Sequence, residues 1–282
     1  MSSEEKIKKL SGYSGCSIFL LKKDNKFFVR KYSLDLSYNQ RLIKQAEKQK
    51  EYLNVGNIKT PRVLGYGYEN GLYYFDMEYI RGRTLAECFD SIPLQNVVEI
   101  INQIIFKHNT LILATQVEVE NYYKKIEELK LKVNNSFQLN EEFDLLQTMD
   151  ESSFYISKCH GDLTLENIIV TENNEVYLID FLDSFVESWQ IDVAKLLQDF
   201  YVGWSFRFSE ENENIKIRQK IMTERIDNKL FHYGRGGKIY RNVYLLLLMN
   251  LIRILPYVRD LETCSYIYKA LAKVRNKIKE VI

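Results

Sequence analysis

Hydrophobic residues first alternate with polar ones and later recur at helical spacing, and the change of period divides the chain. Residues 16–22 and 27–32 are β-rich runs on either side of Asp24-Asn25, a pair that tolerates the positive φ of a tight turn, and they predict a hairpin. Residues 38–53 follow with Leu42, Ala46 and Leu53 on one side and Lys, Gln and Glu elsewhere, which predicts a helix. Two more strands, residues 62–68 and 72–79, flank the turn Glu69-Asn70-Gly71. Beyond Gly82 the period is helical. Pro93 suits a first helical turn; Val97, Ile100, Ile101, Ile104 and Ile105 share one face, and Tyr122, Ile126, Leu129 and Val133 another. The last hundred residues read as mainly helical, and strand character returns only between Ile156 and Ile179, in IIVTENNEVYLI with its turn at Asn173-Asn174. The pattern predicts an α+β chain of two lobes: a small β-rich N-lobe, residues 1–80, and a larger helical C-lobe, residues 81–282, joined through residues 78–83.

Composition narrows the class. The 282 residues are 46% hydrophobic and 27% charged with 3 Pro and 12 Gly, which excludes disordered and collagen-like chains. Lys+Arg 39 against Asp+Glu 38 gives a net charge of +1, so a nucleic-acid partner is not expected. The charge is uneven, however: residues 228–282 hold eleven Lys/Arg and three Asp/Glu, a net +8. Cys16, Cys88, Cys159 and Cys264 are scattered and form no CxxC, so they read as reduced thiols without metal or redox work. The start, MSSEEKIKK, has no apolar signal-peptide core, and the longest apolar run, residues 244–258, contains Asn250, Arg253 and Pro256 and is too short to span a bilayer. A cytoplasmic protein without a membrane partner is expected.

The chemistry concentrates in residues 159–184, CHGDLTLENIIVTENNEVYLIDFLDS. Asp162, Asn167 five positions on, and Asp180 thirteen positions after that follow an order that phosphoryl transfer explains. Transfer needs a group that orients an acceptor hydroxyl and takes its proton, a task for Asp162 on its loop. It also needs Mg²⁺ across the nucleotide phosphates, and this hard cation takes oxygen ligands such as the Asn167 carboxamide and the Asp180 carboxylate. His160 is expected to brace the loop from beneath.

HGDLTLEN resembles the catalytic loop HGDxxxxN of the aminoglycoside phosphotransferase and choline kinase branch of the protein-kinase-like fold, and Ile179-Asp180-Phe181 resembles its metal-binding motif. Gly161, Thr164 and Leu182 stand where protein kinases carry the Arg of HRD, a Lys and the Gly of DFG, which favours a small-molecule kinase. The resemblance implies further roles. In MEYIRGRTL, Met77 would be the gatekeeper and the backbone of Glu78 and Ile80 would bond adenine. Lys31, at the end of KFFVRK, would contact the α and β phosphates of ATP, or of GTP in its place, and Glu47 would orient it, with Glu51 as its rival. Strand alternation puts Lys31 and Val29 on one face and Arg30 on the other. Gly12, Ser14 and Gly15 of SGYSGCS would cover the phosphates, without a full GxGxxG. Asp192 would tether the catalytic loop as scaffold.

The acceptor is a small hydroxylated molecule. The +8 excess after residue 228 sits poorly with a polycationic antibiotic, although Glu210, Glu211 and Glu213 offer an acidic rim, so a neutral or anionic sugar or polyol is preferred to an aminoglycoside or choline-type acceptor. A protein Ser/Thr kinase would need an activation segment, yet eleven residues separate Asp180 from Asp192; a nucleotide-binding pseudokinase would have no need of Lys31, Asp162, Asn167 and Asp180. Other polar and aromatic residues read as ordinary structure: His108 semi-buried, His232 on the surface, Cys159 buried without a base, Trp189 and Trp204 as packing, and Arg253 pairing or reaching a cleft.

Overall fold

Among the described residues, three turns with left-handed backbone fix three hairpins: Asp24 and Asn25 (φ 48° and 60°), Asn70 and Gly71 (50° and 80°), and Asn174 (58°). Asn, Asp and Gly tolerate this region where β-branched residues do not, so the turns fall where the sequence predicts them. The structure, a computed structural model, describes residues 4–10, 16–52, 57–105, 112–133, 138–210, 212–233 and 237–280. It divides into two units, Met1–Leu85 with Asn167–Asp183, and Ala86–Glu166 with Ser184–Ile282.

The first unit carries a five-stranded antiparallel sheet. Strands β1 (Glu5–Leu10), β2 (Ser17–Lys23) and β3 (Lys26–Tyr32) precede helix α1 (Asn39–Glu51); β4 (Ile58–Lys59), β5 (Val63–Glu69), β6 (Leu72–Glu78) and β7 (Arg83–Thr84) follow. The order in this sheet is β1-β2-β3-β6-β5. Ile18, Leu20, Val29, Tyr73, Phe75 and Met77 face Leu42 and Ala46 of α1 and form the core of the unit. Leu53, expected on the same helix face, lies outside the described residues. Strand β1 is not legible in the sequence: EKIKKL is exposed almost throughout, so it lacks apolar alternation, and its lysines suit a sheet edge.

The chain leaves this unit through one helical turn, α2 (Leu85–Cys88). In the second unit lie α3 (Leu94–Ile105), the short strand β8 (Ile112–Leu113), α4 (Gln116–Val133), α5 (Asn140–Leu146) and β9 (Tyr155–Ile156), which pairs with β8. The hairpin β10 (Ile168–Val170) and β11 (Val176–Leu178) then returns to the first unit, although the sequence alone puts it in the C-lobe. There β11 runs parallel to β4 and β10 antiparallel to β7, giving a second sheet of order β4-β11-β10-β7. Gly82 approaches β10 so closely that a Cβ would stand 2.6 Å from the Val170 carbonyl oxygen.

The rest of the second unit is helical: α6 (Trp189–Leu197), continuing into a π-helical turn at Gln198–Val202, α7 (Glu213–His232), α8 (Lys238–Ile252) and α9 (Leu261–Lys279). Side chains of Ser188, Asn212 and Asp260 cap α6, α7 and α9 by accepting backbone N–H groups. Lys238–Tyr257 is long and apolar enough to cross a membrane by length and composition, but α8 is buried inside this unit, packed against α6 and α9, as a core helix is. Four of the eleven basic residues after 228 meet acidic partners within the unit: Arg275 pairs with Glu141 and Glu142, Lys279 with Glu141, Lys277 with Asp227 and Lys238 with Asp150.

Candidate active site

Lys31 ends the third strand facing the core, and only 2% of it is exposed. Its Nζ donates to Asp180 Oδ1 at 3.1 Å and to Gln45 Oε1 at 3.3 Å. Burial works against the ammonium charge, yet the Asp180 carboxylate outweighs it and Lys31 is held above its ordinary pKa. Arg30 takes the other face, where it forks onto Asp76 at 2.6 and 2.8 Å and reaches Glu4. Lys31 rather than Arg30 is therefore the cation beside the metal-type carboxylate.

The expected partner of Lys31 needs correction. Glu47 is exposed on α1, as is Glu51, and Gln45 holds the position against Lys31 instead. The inward face of α1 is Leu42, Gln45, Ala46 and Gln49, at i, i+3, i+4 and i+7; Glu47 is about 200° around the helix from Gln45.

Asp180 itself adopts φ 59°, the left-handed region, without being glycine or sitting in a hairpin turn. Such a conformation persists only where neighbours over-determine it. The Ile179 N–H donates to the Asn167 carbonyl at 3.0 Å, which brings Asn167 beside the strand that leads into Asp180. Phe181 is buried against Tyr52, ring centroids 5.1 Å apart, and Lys48 donates to the Leu182 carbonyl at 2.8 Å. Met77 is buried in the sheet core, with Gln49 Nε2 3.6 Å from its sulfur. The Glu78 N–H donates to the Arg62 carbonyl at 2.9 Å and is committed to the strand pairing; Ile80 follows, half-buried. Gly12, Ser14 and Gly15 lie outside the described residues, as does His108.

Asp162 belongs to the second unit, on a loop whose backbone donors are nearly all committed. Asp192 accepts the N–H groups of His160 and Gly161 at 2.7 and 2.8 Å, the tether that the resemblance implies. Gly161 has φ 87°, a turn that a side chain would strain. His160 is fully buried and its Nδ1 accepts the Asp162 N–H at 3.2 Å, so its ring proton sits on Nε2. The Asp162 carbonyl accepts from Thr164, and the Leu165 N–H donates to Asp199 at 2.6 Å.

The carboxylate of Asp162 meets Lys195 of α6, with Nζ 2.9 Å from Oδ1. Burial pushes its pKa up, but Lys195, then His160 and Arg253, prevail and hold it below the usual carboxylate value. Arg253 also donates to Asn250 at 3.2 Å and lies 5.8 Å from the Phe185 ring. Glu166 is different: burial and the Asp199 carboxylate raise its pKa despite Arg207.

Sequence reading overlooked Gln45, Lys195, Asp199 and Glu166. A signal was present for two of them, because Asp192, Lys195 and Asp199 are spaced i, i+3 and i+7 and so share one helix face. Asp199 is buried and also accepts from the Ser205 N–H and hydroxyl at 3.0 and 2.8 Å; burial against these bonds raises its pKa to about 6. Cys159 is buried, its thiol donating to Glu187 at 3.3 Å, while His232 is exposed; Trp189 is packed in the core.

Asn167 and Asp180 offer a carboxamide and a carboxylate, a donor set that suits Mg²⁺. An antiparallel sheet with a packed helix, a tethered Asp loop and a lysine paired to Asp180 fit a kinase-like fold. Residues 109–217, which contain Asp162, Asn167, Asp180 and Asp192, match the sequence model of the APH phosphotransferase enzyme family. The match covers 109 of the 282 residues, and over that segment the chain is similar to phosphotransferases.

Solved structures agree on the fold. A thermostable mutant of aminoglycoside phosphotransferase APH(4)-Ia aligns with TM-score 0.65 at 15% identity, over 98% of this chain and 96% of that one. A ternary complex of a thermostable mutant of APH(4)-Ia with ADP and hygromycin B aligns at TM-score 0.57 and 14% identity, covering 99% and 94%. Choline kinase LicA from Streptococcus pneumoniae aligns at 0.56 and 15%, covering 97% and 93%. No curated protein matches the chain in sequence.

Proposed function

We propose that this protein transfers the γ-phosphoryl group of ATP to a hydroxyl of a neutral or anionic sugar- or polyol-type metabolite, in the cytoplasm. The acceptor oxygen attacks the γ-phosphorus in line, the bond to the β–γ bridging oxygen breaks, ADP leaves, and the hydroxyl proton passes to Asp162. Lys31, oriented by Gln45, neutralises phosphate charge. Asn167 and Asp180 would hold Mg²⁺, which supplies charge neutralisation across the phosphates. The backbone of Glu78 and Ile80 would bond the base. Asp162 beside a lysine is a weak base at neutral pH, so its main task is to orient the hydroxyl, as a loose phosphoryl-transfer transition state asks.

The observation that carries the acceptor class is the Lys195–Asp162 pair with Arg253 acting on the same carboxylate. A cation paired with the acceptor-orienting group favours neutral or anionic acceptors over the cationic ones of choline or aminoglycoside kinases. The net charge after residue 228 carries less weight, because four of its eleven basic side chains are paired inside the unit. Glu166, with its raised pKa, is suited to bond a neutral hydroxyl. The test is ADP release from ATP and, separately, GTP, with and without Mg²⁺, against pooled sugars, polyols, nucleosides, amino alcohols and aminoglycosides. Turnover with a sugar or polyol pool that disappears in Asp162→Asn supports the reading. Turnover with amino alcohols or aminoglycosides alone refutes the acceptor class, and turnover unchanged in Asp162→Asn refutes the role of Asp162.

A further inference from the structure

We infer that Lys195 is a positioning residue of the transfer reaction: by gripping Oδ1 of Asp162 it sets the rotation of the carboxylate that meets the acceptor hydroxyl. The inference rests on the reading of Asp162 given above and extends it to a residue on a different element. The loop around Asp162 is fixed through its backbone, by Asp192 at His160 and Gly161 and by Asp199 at Leu165. Backbone bonds place the Cα of Asp162 but do not themselves set the rotation of its carboxylate about the Cβ–Cγ bond, which is broad for this side chain. An ammonium 2.9 Å from one oxygen acts directly on that rotation.

Lys195 is itself well held. Its side chain is 12% exposed, it sits one turn after Asp192 on α6, and its Nζ also donates to Gln198 Oε1 at 3.4 Å. One helix face therefore fixes both the backbone of the catalytic loop, through Asp192, and the side chain that works from it, through Lys195. Misplacement of a reacting group by about 1 Å costs on the order of a hundredfold in rate, so this contact is large enough to matter for turnover.

The experiment compares wild type, Lys195→Met, Lys195→Arg, Asp162→Asn and the Lys195→Met/Asp162→Asn double variant. ADP release is measured with MgATP and water as acceptor, and with any acceptor the pooled screen identifies; ADP binding is measured alongside. Lys195→Met is expected to lower kcat roughly ten- to a hundredfold, with the KM for MgATP and the affinity for ADP within about twofold of wild type. Lys195→Arg is expected to restore most of the rate. In the Asp162→Asn background, Lys195→Met is expected to cost little more, because the two act as one unit. A wild-type rate in Lys195→Met, a full additional loss in the double variant, or no rescue by arginine overturns the inference. Absence of ADP release from wild type under all these conditions overturns instead the transferase reading, and the positioning role with it.

Discussion

Lys31 and Asp180 stand 149 positions apart in the chain, and their Nζ and Oδ1 atoms are 3.1 Å apart. The pair sits at the end of a buried strand and on a left-handed backbone, so each residue is held where chain preference alone would not put it. Replacing Lys31 by Met removes the charge proposed to meet the phosphates and leaves Asp180 without this ammonium. The expected result is a loss of at least about a hundredfold in kcat/KM for MgATP, read by ADP release.

Exchange of the helix partner separates Gln45 from Glu47. Glu47→Ala is expected to shift stability by no more than about 0.5 kcal/mol, as surface changes do, with the KM for MgATP unchanged. Gln45→Ala leaves a buried ammonium short of an acceptor and is expected to cost about 1–3 kcal/mol. Thermal unfolding and nucleotide titration of the two variants check this; a larger effect at Glu47 than at Gln45 would restore the assignment made from resemblance.

Gly82 tests the second sheet. A methyl group there meets the Val170 carbonyl oxygen and the Ile169 side chain, both at 2.6 Å, and a backbone oxygen cannot swing away as a flexible side chain can. Gly82→Ala is expected to destabilise by about 1–3 kcal/mol through overpacking, seen as a lower urea midpoint.

Asp199 gives a pH signature. Its folded pKa of about 6 lies above the ordinary 3.8, so between those values the folded chain holds more protons than the unfolded chain. Stability therefore falls as pH rises through that window and levels off above it, by on the order of 3 kcal/mol for this group. In Asp199→Asn, urea midpoints measured between pH 4 and pH 7 should lack this component; an identical pH slope in both proteins would refute it.

Asp192 receives two backbone donors at once. Asp192→Ala strands the His160 and Gly161 N–H groups in a buried place and is expected to cost about 2–4 kcal/mol, with a larger proportional loss of kcat than of MgATP affinity. Differential scanning calorimetry and steady-state kinetics decide this.

Much of the fold could be read before any coordinates. Asp24-Asn25, Glu69-Asn70-Gly71 and Asn173-Asn174 announce their turns because only a few residue types tolerate positive φ, and the apolar faces of α1, α3 and α4 repeat within a dozen or so residues. The proposed set of Asp162, Asn167 and Asp180 comes from the sequence for the same reason: a loop and a hairpin are local, and phosphoryl transfer asks for particular side chains at short spacing.

Folding in three dimensions decided the rest. Strand β1 hides in a lysine-rich stretch because its place is granted by pairing with β2 rather than by its own apolar pattern. The hairpin of β10 and β11 joins the first unit through β4 and β7, more than eighty residues upstream, a pairing that no nearby residue encodes. Gln45 takes the place given to Glu47, and Lys195 reaches Asp162, because the rotation of each helix about its axis is set by the surface it buries. Residue types and short spacings state which chemistry is available; which side chain meets which is a matter of packing between segments far apart in the chain, and that information exists only once the chain has folded.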